Sequence, residues 1–202
     1  MTKLLILTSP KGRAIYPHLT EADYKFKPEG EYHVKLECLK SECVAILKQI
    51  KDVVAYAVKV QHDNNPNAKI KYAPLPFEEE DENVIFNFKM KASGTRRDNF
   101  KTFTQHPVLV NADLTPLGSD VQIWGDSKLR ITFEPHSYIS SAIGLGVTLR
   151  LKSVQVLELV TGKSSNTLGE LKVEPMVEPK VSTNSETPQT HNNDVMKHHN
   201  LY

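Results

Sequence analysis

The chain is short of several things. It has only two cysteines and one tryptophan among 202 residues, and nine glycines. Two cysteines, Cys38 and Cys43, cannot make a disulfide framework, and their spacing matches no metal cluster; they read as buried free thiols of a reducing compartment. The apolar run in MTKLLILTSPKGR is too short for a secretory leader or a membrane span, so no membrane association is expected. No glycine-rich phosphate loop follows a strand, and no nucleophile stands beside an oriented base. Asp113, Asp120 and Asp126 fall in turns without the paired spacing of a two-metal centre. His18, His33, His62 and His106 are scattered, and His191, His198 and His199 lie near the C-terminus; solvated or core roles are expected for all of them, with no metal and no cofactor. There is also no net charge to speak of: +1 at neutral pH. Enzyme classes built on these devices lose their footing, and so does bulk attraction to a polyanion.

What is present is alternation. In Ser127–Leu159, Leu129, Ile131 and Phe133 alternate with Lys128, Arg130 and Thr132. After a short loop, Leu145, Val147, Leu149 and Leu151 alternate with Gly146, Thr148, Arg150 and Lys152. Side chains along a strand point to opposite faces at a period of two. Each run therefore buries an apolar face and offers water a cationic one. Tyr32, Val34 and Leu36 predict a strand over Glu31–Glu37, and Phe86, Phe88 and Met90 one over Val84–Lys91, with Lys35, Lys89 and Lys91 outward. A shorter strand is expected at Val108–Val110. Between the first two, Cys43, Val44, Ile46, Leu47, Ile50, Val53, Val54 and Ala57 recur at three and four residues. They predict one amphipathic helix from an N-cap at Ser41 to about Gln61, where HDNNPN ends it. Residues 69–83 read as a loop, and Gly94–Lys101 as a basic turn.

Beyond Gly162 the composition turns to Ser, Thr, Asn, Pro and Glu, which reads as a flexible tail over 163–202, after a domain spanning 1–162. One helix among antiparallel strands predicts a mainly β fold. The best fit is a five-stranded antiparallel barrel of the oligonucleotide-binding type, the OB-fold, because closure removes exposed sheet edges. The helix follows only one clear strand, which implies an insertion or an uncounted early strand near Lys3–Leu7.

Charge is segregated along this frame. Between Val84 and Lys152 stand nine lysines and arginines and five acids, just after the acidic block Glu78–Glu82. Gathering outward strand positions puts Lys35, Lys89, Lys91, Lys128, Arg130, Arg150 and Lys152 on one surface, with Arg96 and Arg97 in the basic turn. Such cations bind phosphates without regard to sequence. Flat side chains beside them stack on bases. The candidates are His136 and Tyr138, assigned to the loop between the long runs, with Phe100, Phe103 and Trp124; Trp124 suits packing as well as stacking. A surface of this kind fits a polyanion with stackable bases, a nucleic acid. Two other classes remain open: a metal-dependent nuclease using Asp113, Asp120 or Asp126, and a non-catalytic module whose basic face meets an acidic protein.

Three ordered blocks resemble one family. GDSKLRITFEPHSYISSAIGLGVTLRLKSVQVLEL resembles the C-terminal half of the OB-fold in tailed-phage replication single-stranded DNA-binding proteins. VIFNFKMKASG is similar to an earlier strand of that family, and RAIYPHLTEADYKFKPEGEYHVKLE to its N-terminal part. The resemblance spans roughly residues 12–160. It implies a protein that coats single strands in phage replication and recombination, in the cytoplasm of an infected bacterium. It also implies contacts with replisome proteins through the tail and a possible homodimer. The long helix would be the family's insertion. The chain departs from the family in its tail: Lys163–Tyr202 holds five acids and four lysines, and keeps only the terminal aromatic, Tyr202, of the usual acidic ending.

Overall fold

The computed structural model describes residues 5–67, 69–96, 99–118 and 120–161; the expected tail and its partner contacts lie outside them. In chain order the elements are β1 (Leu7–Thr8), β2 (Gly12–Asp23), β3 (Glu31–Leu39), α1 (Lys40–Asn64), β4 (Phe77–Glu79), β5 (Asn83–Lys91), β6 (Ser93–Thr95), β7 (Thr102–Thr104), β8 (Val108–Val110), β9 (Lys128–Ser140) and β10 (Gly144–Glu158). The expected strands are all present, most of them longer than their alternation suggested.

Five strands close a ring in the order β9, β2, β3, β5, β10 and back to β9. The expected barrel is therefore found, with one change to its expected antiparallel character. Strands that reverse direction at every step cannot close a ring of five without one parallel pair. That pair is β5 with β10, where Leu149 stands opposite Phe88 and Arg150 opposite Lys89. Four seams are antiparallel, and the longest of them joins β9 to β10.

The inward faces fill the barrel. Val34, Leu36, Phe86, Phe88, Leu129, Ile131, Phe133 and Leu149 have no measurable exposure, and Phe88 and Phe133 pack with ring centroids 4.9 Å apart. Tilted aromatic pairs at this spacing add attraction beyond the area they bury. α1 lies against β3, β5, β9 and β10 and buries Cys43, Leu47, Ile50 and Ala57. It is not long and apolar enough to cross a membrane.

Three local expectations are corrected. The helix begins at Lys40 with Leu39 in the cap position and no side-chain cap, so Ser41 lies inside the first turn. The cause is that β3 runs into α1 without a linker, and the Lys40 N–H is met by the Glu82 carbonyl at 2.8 Å. The uncounted strand is mainly β2, a ring member; among the described residues near the expected position lies the two-residue β1, paired with β9. β2 lacks clean alternation because its register against β3 shifts twice. Third, the loop at 69–83 contains β4, which pairs with β5 through Phe77, Glu78 and Glu79.

Both cysteines are free and buried, as expected. Burial pushes both thiols above the ordinary range, which keeps them protonated and unreactive. A thiol-reactive dye should therefore label neither in the native protein and both after denaturation. Rapid native labelling would show that α1 lifts from the barrel.

Candidate nucleic-acid interface

The ring sets up one row of side chains across its outer face. His33 on β3 stands opposite Lys89 on β5, Lys89 opposite Arg150 on β10, and Arg150 opposite Glu134 on β9. Directly opposed residues share a face, so four strands present these groups side by side. The next outward position of β5, Lys91, pairs with Glu31, and that of β10 is Lys152.

Lys89 and Arg150 of this row, with Lys91 and Lys152, line an open groove of about 1110 Å³. Among its lining residues are Lys27, Lys89, Lys91, Arg96, Arg150 and Lys152, with His136, Tyr138 and Phe103. Among the described residues, Glu31 is the only acid in the lining. A smaller hollow of about 290 Å³ shares Lys27, Glu31, Asn87 and Lys89 with the groove, and adds Lys35, Tyr16 and Phe26.

Two half-sunken acids hold the cations in place. Glu134 is 8% exposed, and its Oε2 lies 2.8 Å from Lys152 Nζ. Glu31 is bonded to Lys27 and lies 3.9 Å from Lys89. At the rim Lys91 meets Glu29 at 3.3 Å, and Lys35 meets Glu78 at 3.6 Å. Exposed pairs of this kind contribute little to stability and exchange partners readily. They align the ammonium groups without neutralising the groove, where lining cations outnumber acids.

The aromatic expectations divide. His136 and Tyr138 are not in a loop: both belong to β9, which continues to Ser140 and pairs Tyr138 with Gly146 and His136 with Thr148. Pro135 and the serines mask that continuation in sequence. A Cβ at residue 146 would fall 2.6 Å from the Tyr138 hydroxyl and 2.8 Å from Ala73 Cβ. Glycine is what lets the tyrosine fold across its neighbouring strand. Phe103 lines the groove, but Phe100 and Trp124 do not; they are 82% and 49% exposed elsewhere.

Lys128 and Arg130 keep the outward phase of β9. They lie along the half that pairs with β2 and the far end of β10, opposite Glu158 and Gln155, and line neither groove nor hollow. Arg97 falls outside the described residues. The carboxylates of the nuclease alternative are employed separately: Asp113 accepts from Thr115 Oγ1 at 2.6 Å, and Asp126 pairs with Arg13 at 2.8 Å. Among the described residues, no group of three possible metal ligands includes Asp113, Asp120 or Asp126.

Sequence reasoning passed over Tyr16 and Phe26, both 80% exposed at the hollow. Tyr16 is held at φ +48°, a left-handed conformation that costs a bulky residue energy. The available signal was Tyr24-Lys25-Phe26-Lys27, aromatics interleaved with lysines just before a turn. Gly30 closes that turn at φ +71°, under the Tyr24 ring.

With this geometry in hand, comparison with known proteins is decisive. A family model described as "Single-stranded DNA-binding protein, Bacteriophage T7" matches residues 11–159. The chain belongs to that family. It is a phage-type single-stranded DNA-binding protein, and the family is one of binding proteins, not enzymes. A single-stranded DNA-binding protein of Enterobacteria phage T3 is 30% identical over 186 residues, covering 79% of this chain and 78% of that one. The crystal structure of gp2.5, a single-stranded DNA-binding protein encoded by bacteriophage T7, superposes with a TM-score of 0.68. It is 28% identical and covers 82% of this chain and 98% of that one. A single-stranded DNA-binding protein from bacteriophage Enc34, solved in complex with single-stranded DNA, shares the fold at 17% identity. Its TM-score is 0.55, with 80% of this chain and 98% of that one covered.

The groove makes a pH prediction. Burial, then Arg150 and Lys152, depress the His136 pKa, while Glu134 opposes them. The imidazole is therefore neutral at pH 7. Below the ordinary histidine range the unfolded chain takes up a proton that the folded chain resists, so stability contributed by this residue falls in acid. Glu134→Gln should lower the His136 pKa further and Lys152→Ala should raise it, read by NMR titration. The opposite order would place His136 away from these groups.

Proposed function

We propose that single-stranded DNA lies along the groove over β5, β10 and β9, its phosphates on Lys89, Lys91, Arg96, Arg150 and Lys152. Its bases would stack on Tyr138, with His136 and Phe103 beside it. The observation that carries this reading is the registered row of cations across the barrel seams, in a groove also lined by aromatic rings. The hollow with Tyr16, Phe26 and Lys35 extends the same path. Cations reach phosphates, and rings reach any base, so binding is largely independent of sequence. Lys128 and Arg130 belong, on this reading, to a flank that the strand does not touch; Phe100 and Trp124 are likewise peripheral.

In its family's setting the protein coats single strands in replication or recombination, in the cytoplasm of an infected bacterium. Replisome contacts through the C-terminal segment and pairing into a homodimer are extensions of this proposal. Both are checked by pull-down and light scattering of full-length and truncated protein.

The salt dependence of affinity is the main test. Replacing Lys89, Arg150 and Lys152 together by alanine should flatten the log–log slope by about 2, roughly 0.7 per lost phosphate contact. Replacing Lys128 and Arg130 should leave the slope nearly unchanged. If the second pair has the larger effect in folded protein, the strand runs over the opposite flank.

Stacking is tested separately at one position. Tyr138→Ala should lose about 1–3 kcal/mol of affinity for a single strand, and Tyr138→Phe little. Equal losses in the two variants would assign the contribution to the hydroxyl group.

A further inference from the structure

The registered row does not stop at His33. His18 on β2 stands directly opposite His33, with ring centroids 4.7 Å apart. Asp23 joins them because β2 is irregular. Its register against β3 slips by one residue between Ile15 and His18, and by three more before Asp23. Asp23 thereby comes to lie opposite Glu31, which is two residues from His33 and on the same face. The two imidazoles and the carboxylate each offer a ligand atom, all within 4.8 Å of one another.

Several details suit a cation better than a hydrogen bond. His33 Nε2 and Asp23 Oδ2 are 3.4 Å apart, long for a hydrogen bond. That separation is close to the edge of a tetrahedron with metal–ligand bonds of about 2.1 Å. Asp23 Oδ1 accepts the Lys25 N–H at 2.8 Å, which orients the carboxylate as an outer-sphere partner does in metal sites. Neighbouring cations are turned to other acids: Lys27 and Lys89 to Glu31, and Lys35 to Glu78. Asp23 is left to the histidines. Asp23 and His33 also line the smaller hollow, which has room for a water or an anionic oxygen as a further ligand.

We propose that His18, His33 and Asp23 form a binding site for a divalent transition metal ion of zinc's chemistry. Two imidazoles and one carboxylate favour such an ion over magnesium or calcium, which prefer oxygen alone. Residue order alone does not group these histidines with Asp23, because only the slipped register brings it to them. The site shares the smaller hollow with the proposed DNA path, but it rests on the ligand geometry and not on that path.

The test uses full-length protein in which His191, His198 and His199 are replaced by alanine, removing the imidazoles near the C-terminus that could compete. Titration with Co²⁺ should develop a visible ligand-field spectrum that saturates at one equivalent, and Zn²⁺ should displace it. His33→Ala and Asp23→Asn should each weaken the affinity by about tenfold or more. His18 is exposed, so His18→Ala keeps the fold intact should the His33 variant not fold, and it should lose affinity likewise. Zn²⁺ should raise the melting temperature of the parent and not of the His18→Ala protein. Absence of a saturating cobalt signal, or equal Co²⁺ affinity in the parent and the His18→Ala protein, would overturn the site.

Discussion

The parallel seam between β5 and β10 is the constraint on which the rest of the molecule depends. Five strands form a closed ring only if one pair runs parallel, and this pair brings together segments sixty residues apart. Inside, it seats Leu149 beside Phe88 and completes the core around Phe133. Outside, it places Arg150 beside Lys89, two like charges in register. An isolated pair of strands would resist that placement, since like charges directly opposite one another destabilise a sheet. The ring tolerates it because the hydrophobic closure below is worth more than the repulsion above, and because Glu134 ends the row beside Arg150 while Glu31 lies 3.9 Å from Lys89.

Those acids explain why a chain of almost zero net charge presents a cationic groove. Glu31 and Glu134 sit low between the lysines and arginines, where they set positions without covering the tips. In the acidic block at Glu78–Glu82, Glu78 meets Lys35, while Glu79 bonds Lys40 at the start of α1 and Lys51 further along it, holding the helix against the barrel. Segregation of sign along the sequence thus becomes segregation of task in space. A polyanion approaching the groove meets exposed ammonium groups, and at the rim, where Lys91 meets Glu29 and Lys35 meets Glu78, the pairs it must replace are weak in water.

Much of this was legible in the residues, and the failures have physical causes. Alternation of Leu129, Ile131 and Phe133 with cations announced β9, and the same pattern announced β5 and β10. The helix was legible from its apolar spacing. β2 was not, because two register slips and Pro17 break the period on which strand recognition rests. Nor was the true length of β9, where Pro135 and Ser137 imitate a loop while the ladder to β10 runs on. Of the seven outward strand cations, five gather around the groove and hollow. Lys128 and Arg130 do not, because outward phase says which face a residue takes and not where around a barrel that face has turned. Two aromatic candidates lie away from the groove for a related reason: exposure in a turn, as at Phe100 and Trp124, is not the same as adjacency to a groove.

The eight-stranded sheet ends on β1 and β8, of two and three residues. Long unpaired edges are templates on which further chains add as strands, and among the described residues the two terminal strands of this sheet are short. A protein of this family meets copies of itself crowded along one polymer, where local concentration is high and neighbours are held in line. Edges this short deny such neighbours a backbone ladder to extend.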